Sequence, residues 1–334
     1  MPEQLVFAME VFLNGLMAGV LYALVALGFV LIFKASGIFN FAQGVMALFA
    51  AMTFVGIQNG QVPFAHLINA IFGTKVHYFG WEVHSILAIL LTVVVMIALA
   101  WAVQRYIFKH LVGQEPIILF MATIGLAYFL EGVADLMWGS EIKKLDVCLA
   151  EGTCMPQGIN LAIDEFTFNI FGYGFFIDNL DITATIIAIL LVAALVVFSQ
   201  YTKQGRAMRA VADDHQAALS VGVSLNYIWI LVWSVAGFVA LVAGIMWGAK
   251  SGVQFSLSLI ALKALPVLML GGFTSIPGAI VGGLIIGVGE KLFEFAIGPM
   301  VGGATENWFA YVLALVFLVF RPQGLFGEKI IERV

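Results

Sequence analysis

Residues 14–44 read NGLMAGVLYALVALGFVLIFKASGIFNFAQG, and this stretch decides the class of fold. No charged side chain lies between Glu10 and Lys34. Residues 10–33 therefore exceed the roughly 20 apolar residues that a helix needs to cross a bilayer. After a short polar break, a second apolar run covers 40–58. The stretch predicts two consecutive membrane-spanning helices.

The rest of the chain has a similar composition. Of its 334 residues, 62% are hydrophobic and 10% are charged, whereas a soluble domain is about half apolar and about a quarter charged. The formal net charge is −5, which leaves no basic surface for a nucleic-acid backbone. These values exclude a soluble enzyme, a disordered protein and a nucleic-acid binder. They predict an all-α, polytopic integral membrane helical bundle embedded in the lipid bilayer.

About nine spans are expected in one transmembrane domain over 1–334, within a range of eight to ten. The candidate spans are 10–33, 40–58, 84–104, 115–138, 182–200, 226–249, 258–273, 277–296 and 306–320. The apolar stretch 61–73 is too short to cross and is interpreted as re-entrant or interfacial. Segment 258–273 contains Pro266 and ends in two glycines, which predicts a broken or tilted helix.

Basic residues set the expected orientation, because cytoplasmic loops carry an excess of lysine and arginine. With nine crossings, three basic groups fall on one side, which is then the cytoplasm. The groups are Arg105 with Lys109, Lys203 with Arg206 and Arg209, and Arg321 with Lys329 and Arg333. The N-terminus and the acidic segment 139–181 fall outside, and the C-terminus is cytoplasmic.

Both cysteines, Cys148 and Cys154, lie in that outside segment. An oxidising periplasm would permit a disulfide between them. The spacing does not decide between a disulfide and two free thiols, so both alternatives stay open.

No catalytic constellation is evident in the sequence. It contains no G-x-x-x-x-G-K-[ST] phosphate loop, no H-E-x-x-H and no C-x-x-C. The five histidines are scattered without the spacing of metal ligands. We therefore expect no catalytic residue, no metal site and no cofactor on this chain.

A few polar residues interrupt the apolar segments. Lys263 lies in the apolar sequence LIALKALPVLMLGG. One interpretation is a pore or gate lysine that faces water or an anionic substrate group, and the other is a lysine whose side chain extends to the outer interface. Asn40 and Gln43 either hydrogen-bond between helices or line an aqueous path. The three are the candidates for a translocation path.

The eighth span carries three charges near its outer end. Glu290 and Glu294 share a helix face, and Lys291 is expected to pair with Glu294 at i, i+3. Glycines spaced four apart indicate close helix packing. These pairs are Gly15/Gly19, Gly244/Gly248, Gly278/Gly282 and Gly283/Gly287.

Segment 203–222 is too polar to span and is expected to form a cytoplasmic helix that ends at Gly222. Its apolar residues give a weakly amphipathic pattern. They are Ala210, Val211, Ala217, Ala218, Leu219 and Val221. A helix projecting into the cytosol from a membrane bundle favours docking of a partner over a simple linker.

Within this segment, QAALSVG (216–222) resembles the E-A-A-x-x-x-G coupling motif of ABC importer permeases, with Gln216 where the family usually has Glu. The stretches 14–44, 204–214, 262–287 and 320–327 are similar to the branched-chain amino acid ABC permease family, specifically its shorter H-type subunit. Urea and short-amide permeases share much of this pattern.

The resemblance implies a subunit of a heteromeric importer in the bacterial inner membrane. Its partners would be a second permease, two ATP-binding subunits that hold ATP and Mg, and a periplasmic substrate-binding protein. The substrate would be a small polar solute, such as a branched-chain or other hydrophobic amino acid. Coupling to the ATPases would fall to Arg206, Arg209, Asp213, Asp214, Gln216, Ala217, Ala218 and Gly222.

Other functions fit the composition without using this motif. One is a urea or short-amide ABC permease, and another is a stand-alone secondary transporter or channel. A secondary transporter would be marked by intramembrane ion-coupling residues and inverted repeats, which are not evident here. An intramembrane enzyme is disfavoured by the missing nucleophile or metal set. The outside acids are candidates for docking the receptor.

Overall fold

The structure is a computed structural model that describes residues 2–73, 78, 83–111, 114–145, 147–150, 153–155, 168–170, 173–175, 179–213 and 215–327. The helices are α1 (Pro2–Ser36), α2 (Gln43–Gln58), α3 (Ala65–Phe72), α4 (Ser85–Tyr106), α5 (Pro116–Trp138), α6 (Asn179–Tyr201), α7 (Lys203–Asp213), α8 (His215–Ser220), α9 (Leu225–Ser251), α10 (Ile260–Gly271), α11 (Ile276–Val301) and α12 (Phe309–Phe320). Short 3-10 turns lie at Phe108–His110, Phe255–Leu259 and Thr305–Asn307.

Each predicted span falls on a helix, which confirms the polytopic helical class. Five helices in the described part of the chain, α1, α4, α5, α6 and α9, are long and apolar enough to cross a membrane. Residues Phe255–Gly271 and α11 meet the same test together as a pair bent by 114°. Helices α2 and α12 are apolar but shorter, at 16 and 12 residues. The stretch 61–73 holds only the eight-residue α3.

Two small hairpins lie in the segment predicted to be outside. Strands β1 (Val147–Ala150) and β2 (Thr153–Met155) pair antiparallel, as do β3 (Phe168–Ile170) and β4 (Tyr173–Phe175). The register places Cys148 opposite Cys154. The backbone is therefore compatible with the disulfide, which stays a prediction.

The chain divides into two compact units. Unit 1 holds α1 as far as Val30, β3, β4, α6 as far as Val196, and the described residues from Leu262 onward. Unit 2 holds the described residues from Leu31 through β2 and from Val197 to Ala261. The single domain over 1–334 stays a prediction.

Helix α2 lies at the centre of unit 2. All of its residues from Gln43 to Gly56 are buried, against α4, α5 and α9. Small residues make this possible, because a Cβ at Gly44 would overlap the Ser258 carbonyl and one at Gly56 would overlap the Trp138 ring. A helix buried on every side needs no polar face, which explains why its sequence is largely apolar all round.

In unit 1, α11 packs closely on two neighbours through two glycine faces. A Cβ at Gly19 of α1 would lie 2.6 Å from the Gly283 carbonyl oxygen, and Gly287 contacts the same turn of α1. On another face, a Cβ at Gly282 would lie 2.6 Å from the carbonyl oxygen of Val267 in α10. The predicted glycine contact faces are confirmed for these pairs, since no larger residue would let the backbones approach this closely.

The break between α10 and α11 is held by the segment that follows α12. The backbone N–H groups of Leu325 and Phe326 donate to the carbonyls of Leu270 and Gly271 at 2.8 and 3.1 Å. These carbonyls lie in the last turn of α10 and would otherwise lack helical partners. Gly272 takes a φ of +102°. The predicted broken helix is confirmed, and the break comes after Gly271.

Candidate functional site

The junction between α6 and α7 is a tight corner. The Thr202 hydroxyl donates to the Phe198 carbonyl at 2.6 Å and accepts from the Gly205 backbone N–H at 2.9 Å. A Cβ at Gly205 would overlap the carbonyls of Phe198 and Ser199. Glycine at this position therefore lets α7 begin directly against the last turn of α6.

The segment after this corner forms two short helices. Helix α7 covers Lys203–Asp213 and α8 covers His215–Ser220, so the described residues of the predicted segment are helical from Lys203 to Ser220. At its end, Gly222 has a φ of +86° and donates to the Leu219 carbonyl, while Val223 donates to Ala218. This bond pattern is a Schellman motif. It confirms Gly222 as the helix terminus.

Only a few residues of α7 and α8 are buried. Gly205, Met208, Val211 and Ala218 are buried. The other apolar residues of the predicted pattern, Ala210, Ala217, Leu219 and Val221, are exposed. Val221 is 80% exposed and Leu219 52%, so an apolar patch lies beside the motif residues.

Most of the residues predicted to couple this chain to an ATPase lie on this surface. Those exposed are Arg206, Asp213, Gln216, Ala217 and Gly222. Arg209 is partly buried and its guanidinium donates to the Gln200 carbonyl at 3.4 Å. Ala218 is buried, and Asp214 lies outside the described residues. We define the coupling surface as the exposed residues of 206–222.

A second polar site lies within unit 1, where Tyr22 of α1, Lys263 of α10 and Glu290 of α11 come together. Lys263 Nζ lies 2.7 Å from Glu290 Oε1 and 3.4 Å from the Tyr22 hydroxyl oxygen. It also lies 5.6 Å from the centre of the Tyr22 ring. The Glu290 side chain is 1% exposed and that of Lys263 is 30% exposed. We call these three residues the membrane cluster.

The glycine faces of α11 explain why these side chains meet. Gly283 and Gly287 bring α1 close, and Gly278 and Gly282 bring α10 close. Lys263 therefore does not simply reach an interface, since it forms an ion pair with a buried carboxylate. The sequence did not predict this partner, which lies 27 residues away. The feature of the sequence that could have identified Glu290 is its position as a carboxylate within an otherwise apolar, glycine-rich helix.

The other charges of α11 are arranged differently from the prediction. Lys291 pairs with Glu306 at 2.7 Å, so the expected pair with Glu294 is wrong. Glu294 instead accepts from the backbone N–H groups of Ala304 and Thr305 and from the Thr305 hydroxyl. The chain returns after α11 and supplies these donors, which a rule based on helix spacing does not include.

Asn40 and Gln43 form hydrogen bonds within unit 2. The Asn40 amide nitrogen donates to Gln43 Oε1, and Gln43 Nε2 donates to the Ala236 carbonyl of α9, both at 3.3 Å. Both side chains are buried. The structure thus shows the hydrogen-bonding alternative, and a place on the translocation path stays a prediction. Lys263 belongs to the other unit.

A further lysine, which sequence reasoning assigned no role, joins three elements of unit 2. Lys143 Nζ donates to Gln61 Oε1 at 2.5 Å and to the Trp138 carbonyl at 2.8 Å. Its backbone pairs with Val253. Burial lowers the pKa of Lys143 to about 8, against the opposing effect of Glu141. The Lys143 side chain connects Gln61, which follows α2, with the end of α5, and its backbone connects both with Val253, which follows α9.

The family model described as branched-chain amino acid transport system / permease component matches residues 11–321. The chain belongs to this family. It is 26% identical to the high-affinity branched-chain amino acid transport system permease protein LivH of Escherichia coli strain K12, and the alignment covers all of both chains. It is 28% identical to the permease protein BraD of Pseudomonas aeruginosa, again over all of both.

The family resemblance extends to a protein named for another solute. The fructose import permease protein FrcC of Rhizobium meliloti is 26% identical over 65% of this chain and 58% of its own length. Membership in the branched-chain amino acid permease family establishes that the chain is a multi-pass transport permease. This role agrees with the absence of a catalytic motif in the sequence.

Proposed function

We propose that this chain is a membrane-spanning subunit of an ATP-driven importer for amino acids with branched or other apolar side chains. A second permease subunit, two ATPases that hold ATP and Mg, and a periplasmic binding protein would complete the complex. The chain would lie in the bacterial inner membrane, with its N-terminus outside and its C-terminus in the cytoplasm. The basic groups at Arg105, Arg206 and Arg321 support this orientation.

The observation that carries the proposal is the coupling surface. Two short helices lie beyond the apolar end of α6, anchored by Thr202 and Gly205 and ended by Gly222. They expose Leu219 and Val221 beside Gln216 and Ala217. An exposed apolar patch with polar residues around it is typical of a protein interface. Because α7 begins directly against α6, a force on this surface would act on a membrane helix.

The amino-acid substrate is supported by the relatives that align over the whole chain, whose names specify branched-chain amino acids. The fructose permease aligns over a smaller share. The receptor is expected to make the first selection of the solute, and a polar, gated path in the permease would then carry it across the membrane.

Reconstitution tests the proposal. The chain, expressed with its partner genes and purified as a complex, is placed in liposomes with ATP inside and the loaded receptor outside. We expect leucine uptake that requires ATP, and no uptake when the ATPase subunits are left out. Uptake by the chain alone would favour a stand-alone transporter. Uptake of urea or a short amide, with none of leucine, would favour the related amide permeases.

A substitution on the coupling surface sharpens this test. Ala217→Glu places a charge at an exposed position, so the chain should still fold. We expect receptor-stimulated ATP hydrolysis to fall about tenfold or more, because the docking surface is altered. Ala212→Glu serves as the control for added charge. It introduces the same charge in α7 at a partly buried position that does not belong to the coupling surface. Wild-type stimulation in Ala217→Glu would contradict the proposed docking.

A further inference from the structure

We propose that Lys263 and Glu290 form a binding site for a zwitterion, the α-carboxylate and α-ammonium of an amino acid that passes through the membrane. The inference rests on the proposed function and deepens it by assigning substrate recognition to the membrane cluster. Lys263 would take the carboxylate and Glu290 the ammonium. Tyr22 would act as a positioning residue for the lysine.

A purely structural role leaves the presence of these charges unexplained. Burying a charged pair carries a desolvation penalty that its mutual attraction often only balances. Apolar side chains of similar volume would fill the same space between α10 and α11 without that penalty. Charged residues inside a membrane segment are costly and by default indicate function.

The hydrogen-bonding capacity of the pair is incompletely used. An ammonium has three N–H donors. In the described part of the chain, Lys263 uses one for Glu290 Oε1 at 2.7 Å and directs a second, at 3.4 Å, toward Tyr22. Glu290 Oε2 is buried and has no hydrogen-bond partner among the described residues. The pair therefore has one spare donor on its cation and one spare acceptor on its anion.

These spare positions match the charged groups of an amino acid. A carboxylate accepts from a lysine, and an ammonium donates to a carboxylate, in charge-assisted hydrogen bonds. Both groups of an α-amino acid are attached to one carbon, so together they can address two neighbouring side chains. The resulting four charges alternate in sign, and no net charge is added to the membrane interior.

Exposure suggests the order of contact. Lys263 is 30% exposed, whereas Glu290 is 1% exposed, so the substrate carboxylate would meet the lysine first. Glu290 Oε2, which has no hydrogen-bond partner among the described residues, would then accept from the substrate ammonium. The Tyr22 ring and hydroxyl lie beside Lys263 Nζ. They can therefore hold the lysine ammonium in place while it binds the substrate carboxylate.

Ligand protection against thermal unfolding tests the site in the purified complex, with no receptor present. The probes are L-leucine, isocaproate, which lacks the ammonium, and isoamylamine, which lacks the carboxylate. We expect leucine to raise the unfolding midpoint of the wild type. Each one-charge analogue should need a concentration about tenfold higher or more for the same rise, because each lacks one charge-assisted bond.

Variants locate the effect. Lys263→Met and Glu290→Gln should lose the protection by leucine. The matched control is Lys291→Met, which breaks another ion pair of α11 with the same 2.7 Å separation and should leave the protection unchanged. The comparison of the three probes uses the wild type, so it decides the question even if a variant fails to fold.

Several results would overturn the site. They are no protection of the wild type by leucine, equal protection by leucine and by either analogue, or wild-type protection in Lys263→Met and Glu290→Gln. These outcomes are separable from failure of the proposed function. ATP-dependent uptake by the wild type would persist if only the zwitterion site were wrong, and would be absent if the proposed function itself were wrong.

Discussion

Two of the polar groups among the described membrane helices differ in the hydrogen-bonding capacity that they leave unused. Asn40 and Gln43 in unit 2 are neutral, buried and hydrogen-bonded to each other and to the α9 backbone. The membrane cluster in unit 1 is charged, partly exposed at Lys263, and leaves Glu290 Oε2 without a described partner. The difference indicates that the first group holds helices together, whereas the second retains the capacity to bind.

The largest expected effect is from breaking the charged pair on one side only. Lys263→Met leaves the Glu290 carboxylate buried without its cation. Loss of one partner of a buried ion pair costs about 3–5 kcal/mol, so we expect a lower free energy of unfolding in detergent. Lys263→Met/Glu290→Met should recover most of that loss. A double variant no more stable than Lys263→Met would show that the charges themselves support the fold.

The helix packing that assembles the membrane cluster is the next target. Gly19→Ala would place its Cβ 2.6 Å from the Gly283 carbonyl oxygen. Overpacking of this kind costs about 1–3 kcal/mol, and thermal unfolding would measure it. Gly125→Ala is the matched control, because a Cβ there meets no atom within 4 Å. Equal stability of the two variants would contradict the glycine contact between α1 and α11.

Breaking the neutral pair should have a smaller effect. Gln43→Met removes the hydrogen bond to the Ala236 carbonyl while keeping a side chain of similar length. We expect a cost of about 1–2 kcal/mol from unsatisfied groups, with ATP-driven uptake near the wild-type rate. Uptake lost from a stable, assembled variant would place Gln43 on the translocation path and remove the contrast between the two groups.

The smallest effect concerns Lys143, a third polar contact, at the ends of α2, α5 and α9. Its pKa is about 8 in the folded chain and near 10.4 when exposed. Between these values the unfolded chain binds more protons, so stability should rise as pH increases from about 8 to about 10.4. Unfolding midpoints of wild type and Lys143→Met across this range give the measurement. Identical pH dependence in both would contradict the lowered pKa.

The sequence predicted most of the fold because membrane spans depend on local composition. The composition of residues 14–44 is enough to predict a span, and that of residues 258–273 is enough to predict a break. Gly222 marks a helix end because glycine readily adopts a positive φ. The glycine pairs were also recognisable as contact faces. Their partners were not, because spacing within one helix does not say which neighbour it meets.

The site was less predictable for the same reason. Lys263 was a candidate, but Glu290 was placed only on a helix face shared with Glu294, since sequence spacing shows only neighbours on one helix. The pairing of Lys291 with Glu306 depends on how the chain returns after α11. On α7 and α8, only Val211 and Ala218 of the six apolar residues in the predicted pattern are buried. Each of these facts requires tertiary structure.

The most direct measurement of the central claim is leucine uptake by the complex that carries Lys263→Met/Glu290→Met. The account predicts that this variant assembles, unfolds near the wild-type temperature and hydrolyses ATP, but no longer imports leucine. Gln43→Met, measured alongside it, should import leucine at close to the wild-type rate. Import at the wild-type rate by the double variant would show that the charged pair is not needed for transport and would contradict the claim.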